Sequence, residues 1–140
     1  MADINRVRLG KNEYERLLLK IESLETIATH MTTNLDGMPK GTTRQVDDAW
    51  ATLADYRSQC VASLHQYLID CIELNQELDE LPYRKGVRFQ TRAIMKCKYL
   101  DGMTDAQIAE KLHYSDRYVR ELLRYGRSLY EKLYGEAAQQ

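Results

Sequence analysis

The sequence has little of what breaks helices or builds other classes of protein. It contains two prolines, one phenylalanine and one tryptophan, and few segments alternate apolar and polar residues as strands do. No apolar run approaches the roughly 20 residues that a membrane span requires. The N-terminus lacks the apolar core of a signal peptide. These absences predict an all-α, cytoplasmic protein with no membrane segment.

The three cysteines, Cys60, Cys71 and Cys97, are too few and too scattered for a disulfide set or a metal site. They are odd in number, and none forms a Cys-x-x-Cys pair. Cys60 and Cys71 occupy apolar heptad positions, which indicates buried, reduced thiols. No nucleophile–base pair, phosphate loop or metal cluster appears either. We therefore expect no enzyme activity, no zinc and no other cofactor.

Charge is distributed unevenly along the chain, although the formal net charge is only −1. Residues 1–82 contain 8 Lys and Arg against 14 Asp and Glu, a net of −6. Residues 83–134 contain 12 against 6, a net of +6. A basic C-terminal segment that follows an acidic arm is what binding to a phosphate backbone requires.

Apolar residues at heptad spacing organise the N-terminal half. Residues 1–11 have little apolar content and are expected to be loosely ordered, and a helix capped by Asn12 should continue to about Met31. A longer helix over about 46–81 carries apolar residues at alternating steps of four and three. The pattern predicts an antiparallel helical hairpin or coiled coil over 12–81, which would act as an assembly arm.

The connection between these two helices has two open interpretations. Residues 37–41, Gly-Met-Pro-Lys-Gly, form either a plain connection or a loop for a ligand or partner. Thr42 and Gln45 after it fit a capping box for the second helix.

The second helix is too long for the first helix to cover. Its apolar seam from Cys60 to Leu81 needs either the C-terminal domain or a second chain, because an exposed stripe of that length would aggregate. We expect a homodimer through the 46–81 helix. Arg57 interrupts the seam, and it either sets the register by pairing with an acidic residue or lies at the seam's edge.

The segment over 83–134 carries the pattern of a helix-turn-helix. Two short helical patterns each have an apolar face, formed by Ile108, Ala109 and Leu112 and then by Val119 and Leu122. Residues 113–115 between them fit only a tight corner. Thr104 and Ser115 each precede a helical pattern, where a hydroxyl can cap the free N–H groups of the first turn. Asp101-Gly102 should end the preceding helix, since glycine adopts left-handed dihedrals cheaply.

The second helix of this pair directs charged residues away from its apolar face. They are Asp116, Arg117, Arg120, Glu121 and Arg124. In a helix-turn-helix the second helix lies in the major groove of DNA, so we expect Arg117 and Arg120 to read bases and Arg124 to hold phosphates. The expected DNA-binding set also includes Thr104 and Ser115. The alternative is a solvated charged face on an ordinary helical pair.

A second basic group precedes the helix-turn-helix. In a helix predicted to begin at Arg84, cationic residues recur every four positions, at Arg84, Arg88, Arg92 and Lys96. This ridge either holds phosphates or is a solvated face. Later in the chain, Gly126 is expected to permit a close crossing with the long arm, and the tyrosines after residue 117 either stack on bases or pack against neighbours.

Residues 99–104, 107–112 and 114–120 resemble region 4 of σ70-type factors. They resemble still more closely the small prophage regulators of the RinA and ArpU type. Over about residues 12–134 the chain is similar to an uncharacterised temperate-phage family with a helical pair, a Gly-Met-Pro-x-Gly loop and a σ-like C-terminus. The resemblance implies phage transcription control through late-gene activation, with Asp116, Arg117 and Arg120 at the promoter-contacting positions. Asp116 departs from the basic residue common there in housekeeping σ factors.

The sequence therefore predicts a phage-type, sequence-specific regulator that binds double-stranded DNA, with RNA polymerase as a further expected partner. Two other functions are open. One is a small-terminase-like DNA-packaging recognition subunit, which should form a ring of many subunits. The other is a module that docks on RNA polymerase or another protein without binding DNA.

Overall fold

The described part of the chain is helical. A computed structural model describes the backbone of residues 3–33 and 41–135 and the side chains of residues 3–30 and 46–135. Within these ranges there are no strands, and the helices are α1 (Arg6–Thr33), α2 (Gly41–Glu80), a 3₁₀ turn (Lys85–Val87), α3 (Arg88–Tyr99), α4 (Asp105–Leu112) and α5 (Asp116–Tyr134). The all-α prediction is confirmed. The predicted loop over 37–40 and the capping-box side chains of Thr42 and Gln45 lie outside the described residues.

The described residues form two compact units. The arm unit contains residues 10–33 and 41–67, and the head unit contains residues 3–9 and 68–135. The head unit therefore extends beyond the 83–134 segment, because the first turn of α1 and the end of α2 belong to it. None of the described helices combines the length and the apolar character needed to cross a membrane.

In the arm unit, α1 and α2 bury residues from their predicted apolar seams. These residues are Leu17, Ala28, Val46, Leu53 and Cys60. Arg57 Nη2 donates to Glu25 Oε1 at 2.9 Å, so Arg57 does pair with an acidic residue. Both side chains are about half exposed, at 52% and 46%, and such a pair contributes at most about 1 kcal/mol.

The seam of α2 was expected to need either the C-terminal domain or a second chain, and both of its ends are buried within one chain, while Leu64, Tyr67 and Cys71 between them are half-buried. Leu74, Leu78 and Leu81 are all buried in the head unit, and Cys60 is buried in the arm unit. The homodimer stays a prediction, and the buried ends of the seam do not require it.

The expectation of a loosely ordered segment over 1–11 is wrong for its described residues. α1 begins at Arg6 and not after Asn12. Ile4 and Val7 are buried, and their spacing of three residues places both on one helical face. Two buried residues in a largely polar segment are a weak signal, so this packing was not predicted.

Arg6 joins the start of α1 to the ends of α2 and α5 inside the head unit. Its Nη2 donates to Glu77 Oε1 at 2.6 Å, and its Nη1 donates to the Tyr130 hydroxyl at 2.8 Å. Tyr130 in turn donates to Glu77 Oε1 at 2.9 Å. Burial acts to lower the pKa of Arg6, but the hydrogen bonds to Glu77 and Tyr130 raise it overall. Three segments distant in sequence therefore share one charge-assisted hydrogen-bond cluster.

α3 and α5 approach closely at Gly126. A Cβ at this position would lie 2.6 Å from Sδ of Met95, which is fully buried. The predicted close crossing therefore exists, but its partner is α3 and not the long arm. The buried side of α5 continues to Tyr130, at 1% exposure, whereas Leu133 is 45% exposed.

Replacing Gly126 with alanine should lower the free energy of unfolding by about 1–3 kcal/mol, measured by urea denaturation. Overpacking against Met95 should outweigh the gain of up to about 1 kcal/mol in helix propensity. Combined with Met95→Ala, the change should cost less than the sum of the two single changes, because the new methyl group then has room. Gly86→Ala is the control, since no atom lies within 4 Å of its added Cβ. Strict additivity in the double variant would contradict the close contact.

The buried tyrosines make the fold sensitive to high pH. Burial raises the pKa of Tyr130 to about 12, although the hydrogen bond from Arg6 opposes this, and burial also raises the pKa of Tyr83. An unfolded tyrosine ionises near pH 10, so between about pH 10 and about pH 12 the unfolded chain loses its protons first. The free energy of unfolding should therefore fall as pH rises through this interval. Urea midpoints at successive pH values should decline less steeply in Tyr130→Phe; an equal decline would refute the assignment.

Candidate nucleic-acid interface

Side-chain caps fix the starts of α4 and α5. Thr104 Oγ1 accepts from the backbone N–H of Gln107 at 3.2 Å, and Gln107 Oε1 accepts from the backbone N–H of Thr104 at 2.9 Å. This is a reciprocal capping box. Ser115 Oγ accepts from the backbone N–H of Tyr118 at 3.1 Å. Both N-caps predicted from the sequence are confirmed.

The corner between α4 and α5 turns at His113. This residue has φ 60° and ψ 42°, in the left-handed region, which costs a residue other than glycine about 1–2 kcal/mol. The backbone N–H of Tyr114 donates to the carbonyl of Ala109 at 3.0 Å and closes the end of α4. Ala109 is buried, as predicted for a small residue on the inner face. Gly102, with φ 70°, makes the preceding turn, as the Asp101-Gly102 pair predicted.

α5 separates apolar and charged residues onto opposite sides. Its buried residues are Val119, Leu122, Leu123, Gly126 and Tyr130. Its exposed charged residues include all five that were predicted to face DNA, namely Asp116, Arg117, Arg120, Glu121 and Arg124. α5 packs against both α3 and α4, so the buried side is held by two helices and the charged side is open.

The N-terminal half of this charged side carries both signs of charge. Arg117 Nε donates to Glu121 Oε1 at 3.0 Å, and the Arg117 side chain is 86% exposed. An exposed pair one turn apart contributes only about 0.3–0.5 kcal/mol, so a competing ligand can replace it. Asp116 lies in the first turn of α5, where the helix dipole favours a carboxylate.

The C-terminal half of the charged side borders a cleft of about 210 Å³ between α3, α4 and α5. It is lined by Lys98, Asp105, Arg120, Leu123, Arg124 and Arg127. Lys98 Nζ donates to Asp105 Oδ1 at 2.9 Å, and Arg127 Nε donates to the Tyr99 hydroxyl at 2.9 Å. Arg127 was not among the predicted site residues. Its spacing of seven residues from Arg120 would have indicated the same helical side.

The basic ridge before the corner is not the continuous helical row that was predicted. α3 begins at Arg88, and Arg84 precedes the 3₁₀ turn with extended dihedrals, so the predicted helix start at Arg84 was wrong. The Arg84 guanidinium lies 5.3 Å from the centroid of the Tyr125 ring. Lys96 Nζ lies 2.7 Å from Asp79 Oδ1, and Arg92 Nε lies 4.0 Å from the same oxygen. Two of the four cations are therefore already matched by a carboxylate of α2.

The tyrosines near the end of α5 pack within the head unit. The Tyr125 hydroxyl accepts from the backbone N–H of Arg84 at 2.6 Å, and Tyr130 is buried beside Arg6. The rings of Tyr130 and Tyr134 have centroids 5.0 Å apart. Of the two predicted alternatives, base stacking and packing against neighbours, these three tyrosines show packing.

Removing either cap should weaken the fold, because a free backbone N–H would lose its acceptor. Thr104→Ala and Ser115→Ala should each lower the free energy of unfolding by about 0.5–2 kcal/mol in urea denaturation. Ser128→Ala removes an exposed hydroxyl within α5 and is the matched control, for which alanine's higher helix propensity predicts no loss. Equal stability of the Ser115→Ala and Ser128→Ala variants would argue against a stabilising cap.

No metal centre is recognisable among the described residues, and comparison with known proteins does not identify the site. Among the described residues, no group of three or more His, Cys, Asp or Glu side chains could hold a metal ion. The three cysteines are free thiols, and Cys60 and Cys97 are buried. Comparisons with protein-family models, curated proteins and solved structures give no match. The resemblance to phage regulators therefore stays a prediction.

Proposed function

We propose that the chain is a sequence-specific, phage-type DNA-binding regulator in which α4 and α5 form a helix-turn-helix. The observation that carries this proposal is the open, cation-rich side of α5, which lies opposite a fully packed side and begins at a capped corner. Such a helix can enter the major groove of duplex DNA while its other side stays in the protein core. The resemblance of residues 99–120 to σ region 4 supports the same function.

Arg117 is the proposed base-reading arginine. It lies in the first turn of α5, where helix-turn-helix proteins contact base edges, and its exposed guanidinium can donate two hydrogen bonds to O6 and N7 of guanine. Asp116 and Glu121 beside it repel phosphates, so they favour a position over base edges, where a carboxylate can accept from the amino group of cytosine. Both signs of charge at this end of α5 suit base reading better than backbone binding.

Three other predicted residues suit phosphate contacts. The oxygens of Thr104 and Ser115 cap their helices, but each hydroxyl also has a hydrogen to donate to a phosphate oxygen. Arg88 is exposed and forms no ion pair with any described residue, so it can bind an anion without losing a partner. Arg92 and Lys96, by contrast, would have to leave Asp79.

The arm unit is proposed to be the antiparallel helical hairpin that serves assembly. Gly10 lies against Tyr67, and Glu25 pairs with Arg57. Later residues of α1 therefore meet earlier residues of α2, as in an antiparallel pair. Residues 10–67 contain 6 Lys and Arg against 8 Asp and Glu, a net of −2, so this unit has no cationic excess to attract DNA and is left for protein partners.

The full chain should bind random-sequence duplex at low salt, with affinity that falls steeply as salt rises. On a preferred sequence selected from a random library, Arg117→Ala should cost about 1–3 kcal/mol and relax the preference at one base pair. Arg88→Ala should instead weaken binding to all sequences by a similar factor and reduce the salt dependence of the affinity. Fluorescence anisotropy with labelled duplexes measures both effects.

The control for charge is Arg16→Ala, which removes an exposed arginine of the arm unit that pairs with Glu13. It should change neither affinity nor sequence preference. Absence of any duplex binding by the folded wild-type chain at low salt would contradict the proposed function. Duplex binding with an unchanged sequence preference in Arg117→Ala would contradict the role of that residue alone.

A further inference from the structure

Four cationic side chains converge on the cleft between α3, α4 and α5, which is referred to below as the α5 cleft. The cations are Lys98, Arg120, Arg124 and Arg127, and Asp105 is the one carboxylate among the lining residues. The lining therefore carries a formal charge of +3. The volume of about 210 Å³ would hold about seven water molecules at about 30 Å³ each, which is enough for a phosphate group.

Two of these cations are already oriented by neighbours. Lys98 is held by Asp105 at 2.9 Å. Arg127 Nε donates to the hydroxyl of Tyr99, whose ring is buried, so this bond fixes the guanidinium plane and leaves both terminal nitrogens to donate elsewhere. Paired donors in a fixed plane match the geometry of a phosphate.

The other two cations have no counter-charge. Arg120 and Arg124 form no ion pair with any described residue and lie one helical turn apart. Some other cations of the head unit are paired, as Lys96 is with Asp79 and Arg6 with Glu77, whereas Arg88 is unpaired among the described residues but does not line this cleft with other cations. Like charges gathered in one cleft repel one another, and an anion between them would remove that repulsion.

We propose that the α5 cleft binds a phosphate group and, resting on the proposed function, that this group is a backbone phosphate of the bound duplex. The proposal assigns Arg120 to phosphate binding and not to base reading, and adds Lys98 and Arg127 to the interface. Tyr99 is a positioning residue, since it acts only through Arg127. Arg117 is left as the base-reading arginine at the opposite end of the charged side.

The first experiment measures binding of the full chain to random and preferred duplexes over a range of salt concentrations. Three single variants are tested, namely Arg120→Ala, Arg124→Ala and Arg127→Ala. Each should weaken binding to the random duplex and to the preferred duplex by the same factor. Each should lower the slope of log binding constant against log salt by up to about 0.9, the value for one phosphate. Arg16→Ala is the charge-matched control and should change neither quantity, and circular dichroism verifies that each variant is folded.

Two conservative variants separate the geometry from the charge. Arg127→Lys keeps the cation but loses the planar pair of donors, so it should keep the salt slope and bind more weakly. Tyr99→Phe should reproduce that weaker binding, because the guanidinium of Arg127 is no longer held. A Tyr99→Phe variant that binds like wild type while Arg127→Lys is impaired would overturn the positioning role.

The outcomes distinguish this inference from the proposed function. If wild type binds duplex and all three alanine variants match Arg16→Ala, the cleft proposal is overturned and the proposed function stands. If Arg120→Ala loses affinity only for the preferred sequence, Arg120 reads bases and its assignment to the cleft is overturned.

A second titration, with inorganic triphosphate followed by calorimetry, tests the cleft without DNA. If wild type fails to bind duplex, the proposed function fails. The cleft would still be supported, with a free polyphosphate as its ligand, if triphosphate binds wild type and Arg16→Ala but not Arg124→Ala. If wild type binds neither duplex nor triphosphate, the cleft proposal is overturned as well.

Discussion

Burial of one side of α5 is the constraint on which the head unit depends. Val119 and Tyr130 mark the two ends of that side, and Gly126 between them lets α3 approach closely enough for Met95 to fill the core. Side chains of a helix project at about 100° per residue, so fixing the apolar side also fixes the opposite one. The exposure of the arginines therefore follows from the apolar pattern and requires no interaction of its own.

Polar contacts from α2 decide which cations of the head unit remain available. Asp79 neutralises Lys96 and approaches Arg92, and Glu77 binds Arg6 beside Tyr130. These carboxylates belong to the acidic half of the sequence, yet they lie in the unit that carries the basic half. The net charge of +6 counted over residues 83–134 therefore overstates the positive charge that is available near α3. It is a better guide to the C-terminal half of α5, where the arginines at the cleft have no paired carboxylate among the described residues.

Local signals made the region around α4 and α5 predictable, and long-range contacts limited the prediction elsewhere. The caps at Thr104 and Ser115 depend on residues within one turn, so sequence alone was enough to place them. The burial of Ile4 and Val7 comes with the anchoring of Arg6 to residues more than 70 positions away, which no local pattern encodes. The start of α3 was misplaced because cations spaced by four imitate a helix across a 3₁₀ turn. The α5 cleft was not predicted because it depends on a contact between helices, in which Lys98 of α3 lies beside the arginines of α5.

The order of charges along α5 matches two different kinds of DNA contact. At its start Arg117 stands between the carboxylates of Asp116 and Glu121, and carboxylates close to a phosphate backbone would be repelled. Base edges present both donors and acceptors, so a mixed-charge end is compatible with them. Further along α5, its charged residues that border the cleft are all arginines, and the whole lining has a net charge of +3, which suits an anion. In the proposed complex, one helix would thus set register through its cationic half and read sequence through its mixed half, with the packing of α5 on α3 and α4 holding the two halves in a fixed relation.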